Sequence, residues 1–211
     1  MIKGTLKQKT NFPSLASYGS LARFKDVQRV CPIGKNTVLG SSGDISDFQH
    51  ILHLLDQIQT TEYCHADGLD LSAPQLHNIL CGIMYNKRSE MKPLWNAHIV
   101  GGVDADGTPF LGYVDLKGVA YKADSIASGY GAYIAQPLLR KALEERGGAE
   151  GLGEAEARAV LEECMRVLYY RDARSINKIQ LATITAATGI TITAPYELET
   201  NWEVAMSVRG Y

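Results

Sequence analysis

Apolar positions recur at two different periods along the chain. Val30-Cys31-Pro32-Ile33 and Thr37-Val38-Leu39-Gly40 flank Gly34-Lys35-Asn36, which predicts two short strands around a turn. Ile45, Phe48, Ile51, Leu52, Leu55 and Ile58 then follow at helical spacing, with Asp44 as the N-cap candidate, so a helix is expected from about Asp44 to Tyr63. A second helix is predicted to start at the cap Ser72 with Pro74 in its first turn and to carry Leu76, Ile79, Leu80, Ile83 and Met84 on one face. The period then shortens. Trp95 to Val103 and Phe110 to Val114 read as a hairpin across Asp104-Ala105-Asp106-Gly107, with Val119-Ala120-Tyr121 as a third strand. Helical spacing returns at Tyr133, Ile134, Leu138, Leu139 and Leu143, interrupted by Pro137, and again at Ala157, Leu161, Cys164, Met165 and Leu168. Gly147 to Gly153, between these helices, reads as a flexible surface loop. A last hairpin is expected from Ile179, Leu181 and Ile184 through the turn Ala187-Thr188-Gly189 to Ile190, Ile192 and Ala194.

The order strands, two helices, strands, two helices, strands is not the strict alternation of a doubly wound nucleotide fold, and no G-x-G-x-x-G follows a strand. Antiparallel sheet in packed layers with helices is the expected class. The 211 residues suit one large domain, and the 45% hydrophobic content argues against disorder. A formal charge of −2 disfavours a nucleic-acid partner, and no apolar run has the length of a membrane span. Cys31, Cys64, Cys81 and Cys164 form no C-x-x-C pair and fit buried free thiols in a reducing compartment.

Candidate chemistry is sparse. Asp104 and Asp106 imitate the start of a calcium loop, but Pro109 stands where such a loop turns on glycine and Asp115 where it carries glutamate. His50 and His53, with Asp47 and Asp56 nearby, populate the polar face of the first helix. His65, His77 and His98 are scattered, and Cys64-His65 adjacency makes no catalytic pair. No G-x-S-x-G, H-E-x-x-H or phosphate-loop motif is present. The run Tyr169-Tyr170-Arg171-Asp172-Ala173-Arg174-Ser175 stands where a helix hands over to a strand, and it suits either a hydrogen-bond network at an active centre or a subunit contact.

Several blocks are recognisable together. Residues 18–24 (YGSLARF), 40–44 (GSSGD), 91–96 (MKPLWN), 110–115 (FLGYVD), 129–133 (GYGAY), 135–140 (AQPLLR) and 164–175 (CMRVLYYRDARS) resemble the β-ring subunits of the eukaryotic 20S proteasome core particle. The similarity runs from about Ser17 to Tyr211 and is strongest to a non-catalytic type, beta type-4 in vertebrate naming. The resemblance implies an α+β fold, a four-layer αββα sandwich of the N-terminal nucleophile hydrolase class, over residues 1–195, followed by a C-terminal extension over 196–211. It implies stacked rings in the order α-β-β-α, with neighbouring β subunits, the facing β ring and α-ring subunits as partners. It also implies proteasomal, ubiquitin-dependent protein degradation in cytoplasm and nucleus, with no cofactor, metal, nucleic acid or membrane.

Active members of the family use an N-terminal threonine freed by self-cleavage after glycine, its own α-amine and a lysine assisting proton transfer. On this chain the resemblance carries over only partly. Ser128, Asp172 and Ser175 match the serine, aspartate and serine around the family's active threonine. Arg29 stands at the essential lysine, and arginine stays protonated where lysine can tune a base. Pro13 stands where an aspartate belongs. Gly4-Thr5 imitates a cleavage junction, but only seven residues lie between Thr5 and Pro13, much less than the family's span, and Thr10 has no preceding glycine. The expectation is a silent, structural subunit with a reduced N-terminal strand hairpin, since Ile2, Gly4 and Leu6 alternate for one short strand at most. A self-processing threonine peptidase is the competing reading. Trp202, Val204, Met206, Val208 and Tyr211 are the expected apolar anchors of a tail that embraces the opposite ring, the alternative being a tail folded onto its own domain.

Overall fold

Helices begin where a polar group takes up the orphan N–H groups of the first turn. At the start of α1 (Ile45–Cys64) the Asp44 carboxylate accepts from the N–H groups of Ser46 at 2.9 Å and Asp47 at 3.0 Å. At α2 (Ala73–Ser89) the Ser72 N–H donates to the Gln75 side chain at 2.8 Å, the reciprocal half of a capping box. The computed structural model describes residues 8–13, 16–19, 21–66, 68, 70–104 and 106–208, of which 8–13, 18, 22 and 204 as backbone only.

Before α1 come β1 (Gln8–Pro13), β2 (Ala16–Tyr18), β3 (Leu21–Phe24), β4 (Val30–Ile33) and β5 (Thr37–Gly43). After α2 come β6 (Asn96–Val103), β7 (Pro109–Val114), β8 (Ala120–Lys122), α3 (Gly131–Glu145), α4 (Glu154–Arg171), β9 (Ile179–Thr185), β10 (Gly189–Ile192) and the short α5 (Glu203–Ser207). The three expected hairpins, β4–β5, β6–β7 and β9–β10, and the helices α1 to α4 thus stand close to where the periodicity puts them. The expected flexible stretch between α3 and α4 is instead pinned. A 3-10 turn over Ala149–Gly151 buries Ala149, and the Gly148 N–H donates to the Leu143 carbonyl at 2.8 Å.

A five-stranded antiparallel sheet has the order β4-β5-β6-β7-β8. Pro32 sits in its edge strand β4, where a missing N–H costs no interior ladder bond. A three-stranded sheet has the order β1-β9-β10, so β1, near the start of the chain, pairs with β9 in register from Gln8↔Ile184 to Pro13↔Ile179. The pair β2–β3 stands separately. One strand, β1, is therefore the described N-terminal contribution to this sheet, while the alternation at Ile2, Gly4 and Leu6 lies outside the described residues.

Three buried clusters define the packing. Leu39, Phe48, Ile51, Leu55, Leu76, Leu80, Met84 and Val100 join α1 and α2 to the larger sheet. Val30, Val38, Ile99, Val103 and Leu111 meet Ala182 and Ile184 of β9 between the sheets. Leu139, Leu143, Leu161 and Cys164 join α3 and α4 to Leu181 of β9. Each such fully buried aliphatic or phenyl side chain contributes about 1.5–3 kcal/mol relative to exposure. Strand β6 serves two clusters, Val100 toward the helices and Ile99 and Val103 toward the other sheet, and so reads as a continuous apolar run rather than an alternating one.

Gly43 ends β5 with φ +100°, and a Cβ there would lie 2.1 Å from the Trp95 carbonyl oxygen. That close approach lets the Asp44 N–H donate to Trp95 O at 2.9 Å and sets the entry to α1 against β6.

Candidate functional site

The handover from α4 to β9 is built by its own polar side chains. The Asp172 N–H ends the helix on Leu168 O at 2.8 Å, and its carboxylate accepts the Arg174 N–H at 2.9 Å. Ser175 donates to the Asp172 carbonyl twice, from its N–H at 3.2 Å and from Oγ at 2.8 Å. Both residues thus commit hydrogen bonds to shaping one turn. Across from it, the loop before α3 turns at Gly129, with φ +60°, and the Ser128 carbonyl accepts the Gly131 N–H at 3.1 Å.

These two loops bring Ser128, Asp172 and Ser175 to the same cavity, of about 210 Å³. Its walls are mostly apolar, with Ile126, Ala135, Leu139, Leu161, Leu168 and Ile179 among them. Cys164 also faces it, and burial pushes that thiol up to about 11, so it stays protonated at neutral pH. The three residues are therefore brought together, in a setting of apolar wall and turn-closing hydrogen bonds.

Arg29 is not among the residues described as lining the cavity. It stands just before β4, its carbonyl accepting the Ser41 N–H at 3.0 Å and its guanidinium donating to the Gly43 carbonyl at 3.1 Å. Burial lowers its pKa, and the neighbouring Asp44 charge opposes that shift. A cation at this position is held by the β5–α1 junction.

Thr10 stands in mid-strand in β1, in register with Ala182, its amide within the chain. Pro13 ends the same strand opposite Ile179. Thr5 lies outside the described residues. Among the described residues no group of three or more His, Cys, Asp or Glu side chains is placed to hold a metal ion. His50 and His53 are exposed on α1. His98, by contrast, is buried beneath α1 beside the Phe48 ring, with neither ring nitrogen partnered among the described residues.

Residues 199–202 turn back over α4. Trp202 meets the rings of Tyr170 and Tyr169 edge-on, at centroid distances of 4.9 and 5.8 Å. Beyond it Met206 is 86% and Val208 59% exposed. Val204 is described as backbone within α5, and Tyr211 lies outside the described residues. Sequence reasoning gave Tyr170, Asn177 and Leu198 no role as tail contacts, because their significance is purely spatial and no motif marks it.

Comparison with known proteins gives this arrangement its family. The proteasome subunit family profile matches residues 13–184. Proteasome subunit beta type-4 of Xenopus laevis is 46% identical over 197 residues, covering 93% of this chain and 79% of that protein. Proteasome subunit beta type-7 of Saccharomyces cerevisiae is 44% identical over 203 residues, covering 94% and 76% respectively. The probable beta type-7 subunit of Schizosaccharomyces pombe is 43% identical over 199 residues, covering 94% and 75%. By that profile match and by this identity over most of its length, the chain belongs to the proteasome subunit family, among its β subunits.

Proposed function

We propose that this chain is a catalytically silent β-ring subunit of the 20S proteasome core particle, a structural member of the machine that degrades ubiquitin-marked proteins in cytoplasm and nucleus. The observation that supports the reading is the place of Thr10, in mid-strand in β1 and in register with Ala182 of β9. Thr10 is embedded in the β1–β9 ladder, which supplies neither a free α-amine nor a hydroxyl at a chain start. Arg29, bonded to the Gly43 carbonyl, adds charge but no tunable base. The three buried clusters support the four-layer αββα arrangement that places α1 and α2 on one outer face and α3 and α4 on the other. Its contacts are then neighbouring β subunits, the α ring and the facing β ring, reached in part through the exposed Met206 and Val208.

The test is co-expression with the remaining subunits of the particle, followed by native and intact mass measurement and peptide-cleavage assays. The expected result is incorporation into a barrel with no mature form starting at Thr5 or Thr10, and cleavage unchanged by Thr5→Ala or Thr10→Ala. A mature start at either threonine, with cleavage lost on its mutation, would establish a self-processing peptidase instead. A chain that never leaves the monomer would end the structural reading.

A further inference from the structure

Leu198 belongs to the tail, yet its side chain is buried and lines the apolar cavity. Its backbone is gripped on both sides by one residue. Asn177 Nδ2 donates to the Leu198 carbonyl at 2.7 Å, and Asn177 Oδ1 accepts the Leu198 N–H at 3.1 Å. Before it, Tyr196 and Ile179 exchange two backbone bonds of 2.9 and 3.0 Å, and the Tyr196 hydroxyl donates to Glu162 at 2.8 Å. After it, Arg166 Nε donates to the Glu199 carbonyl at 3.0 Å and the Asn201 N–H donates to the Tyr170 hydroxyl at 2.7 Å. Trp202 closes the run against Tyr169 and Tyr170. From Leu198 onward the segment is held by side chains rather than by a strand ladder, and Glu197, Glu199 and Asn201 are exposed. Backbone held this way opens at a lower free energy than the sheet beneath it.

We propose that residues 196–202 are a latched strap over the cavity, Leu198 its plug and Trp202 its latch, and that the cavity takes a small uncharged apolar molecule when the strap lifts. The ligand class follows from the walls: Ile126, Ala135, Leu139, Leu161 and Leu168 offer dispersion contacts and no charge. The carboxylate at the rim, Asp172, accepts the N–H of its own turn. A cavity of about 210 Å³ exceeds the roughly 150 Å³ that suffices for benzene, so a single- or fused-ring aromatic has room. The inference uses no step of peptide hydrolysis and stands apart from whether the subunit is silent.

Hydrogen exchange and calorimetric titration with indole, both on the full chain, test it. Trp202→Ala removes two edge-on aromatic contacts, and exchange at the Leu198 and Asn201 amides is expected to rise at least about fivefold, with β5 and β6 unchanged. Because indole is held in the lifted state, its affinity rises by a similar factor, apparent affinity scaling with the competent fraction. Unchanged strap exchange overturns the latch, and faster exchange with unchanged indole affinity overturns the gate. Tyr170→Phe, which removes only the acceptor of the Asn201 N–H, gives a smaller shift in the same direction and serves if Trp202→Ala does not fold. Ala135→Leu, which fills the cavity, is expected to abolish indole binding with strap exchange as in the parent. Binding that survives it places indole elsewhere and overturns the assignment.

Discussion

Two side chains near the larger sheet show how single residues set the conditions under which this subunit is stable. Asp44 caps α1, and the Ser46 hydroxyl, followed by the helix N–H groups, holds its carboxyl below the usual carboxylate range. Its contribution is complete above the unfolded pKa and is lost as pH falls through the lower folded value. Asp44→Ala is therefore expected to cost about 1 kcal/mol at pH 7 in denaturant unfolding, and less in acid where the parent has lost the same bonds. His98 works through burial alone, which lowers its pKa from 6.5 to about 4. Between those values the unfolded chain binds a proton that the native chain refuses, so stability falls as pH falls through that window. At about 1.4 kcal/mol per pH unit the loss between pH 7 and pH 4 is about 3 kcal/mol. His98→Leu, which puts an apolar side chain beside the Phe48 ring, removes this component. Unfolding curves at pH 7, 5 and 4 check it: the parent must lose more stability than the variant, and equal slopes would show that His98 is not held neutral.

At the scale of elements, close approach rather than propensity decides which small residues matter. A Cβ on Gly102 of β6 would lie 2.4 Å from Ala73 Cβ at the start of α2 and 3.0 Å from the Asn36 carbonyl. A Cβ on Gly82, inside α2, would meet nothing within 4 Å. Gly102→Ala is thus expected to destabilise by about 1–3 kcal/mol through displacement of α2, while Gly82→Ala stabilises by up to about 1 kcal/mol through helix propensity. Opposite shifts of the unfolding midpoint are the check. The sequence cannot show this difference, since both are glycines in apolar runs. What it does show is periodicity: β5, β6 and β7 and the helices α1 to α4 are legible because burial imposes a repeat on Val38, Leu39, Phe48, Ile51, Leu80 and their neighbours. The pair β2–β3 is not, because Leu21 and Phe24 are more than half exposed and no buried face patterns the strands. The site divides the same way. Ser128 and Asp172 lie on separate loops that only the packing of α3 against α4 brings to one cavity, so family resemblance, not spacing, marks them in advance.

For the whole molecule the tail carries two kinds of apolar residue, and their burial separates their work. Leu198 and Trp202 spend their surface on their own domain, at 7% and 45% exposure, whereas Met206 and Val208 are left at 86% and 59%. A charge on either of the first two acts within the subunit, on the strap that they hold down. A charge on the second two stays mostly in solvent and should leave the unfolding free energy within about 0.5 kcal/mol of the parent. If this end of the tail makes the proposed ring contact, the same charges sit in an apolar interface, where desolvation without a partner weighs against binding. Met206→Asp combined with Val208→Asp is therefore expected to give a subunit that folds normally and is incorporated into the barrel severalfold less in competition with the parent, as read by native mass measurement. Leu198→Asp should act on the domain instead, raising exchange at the Asn201 amide of the strap. Equal incorporation of the double variant and the parent would remove the exposed end of the tail from the ring contact and leave its function confined to its own domain.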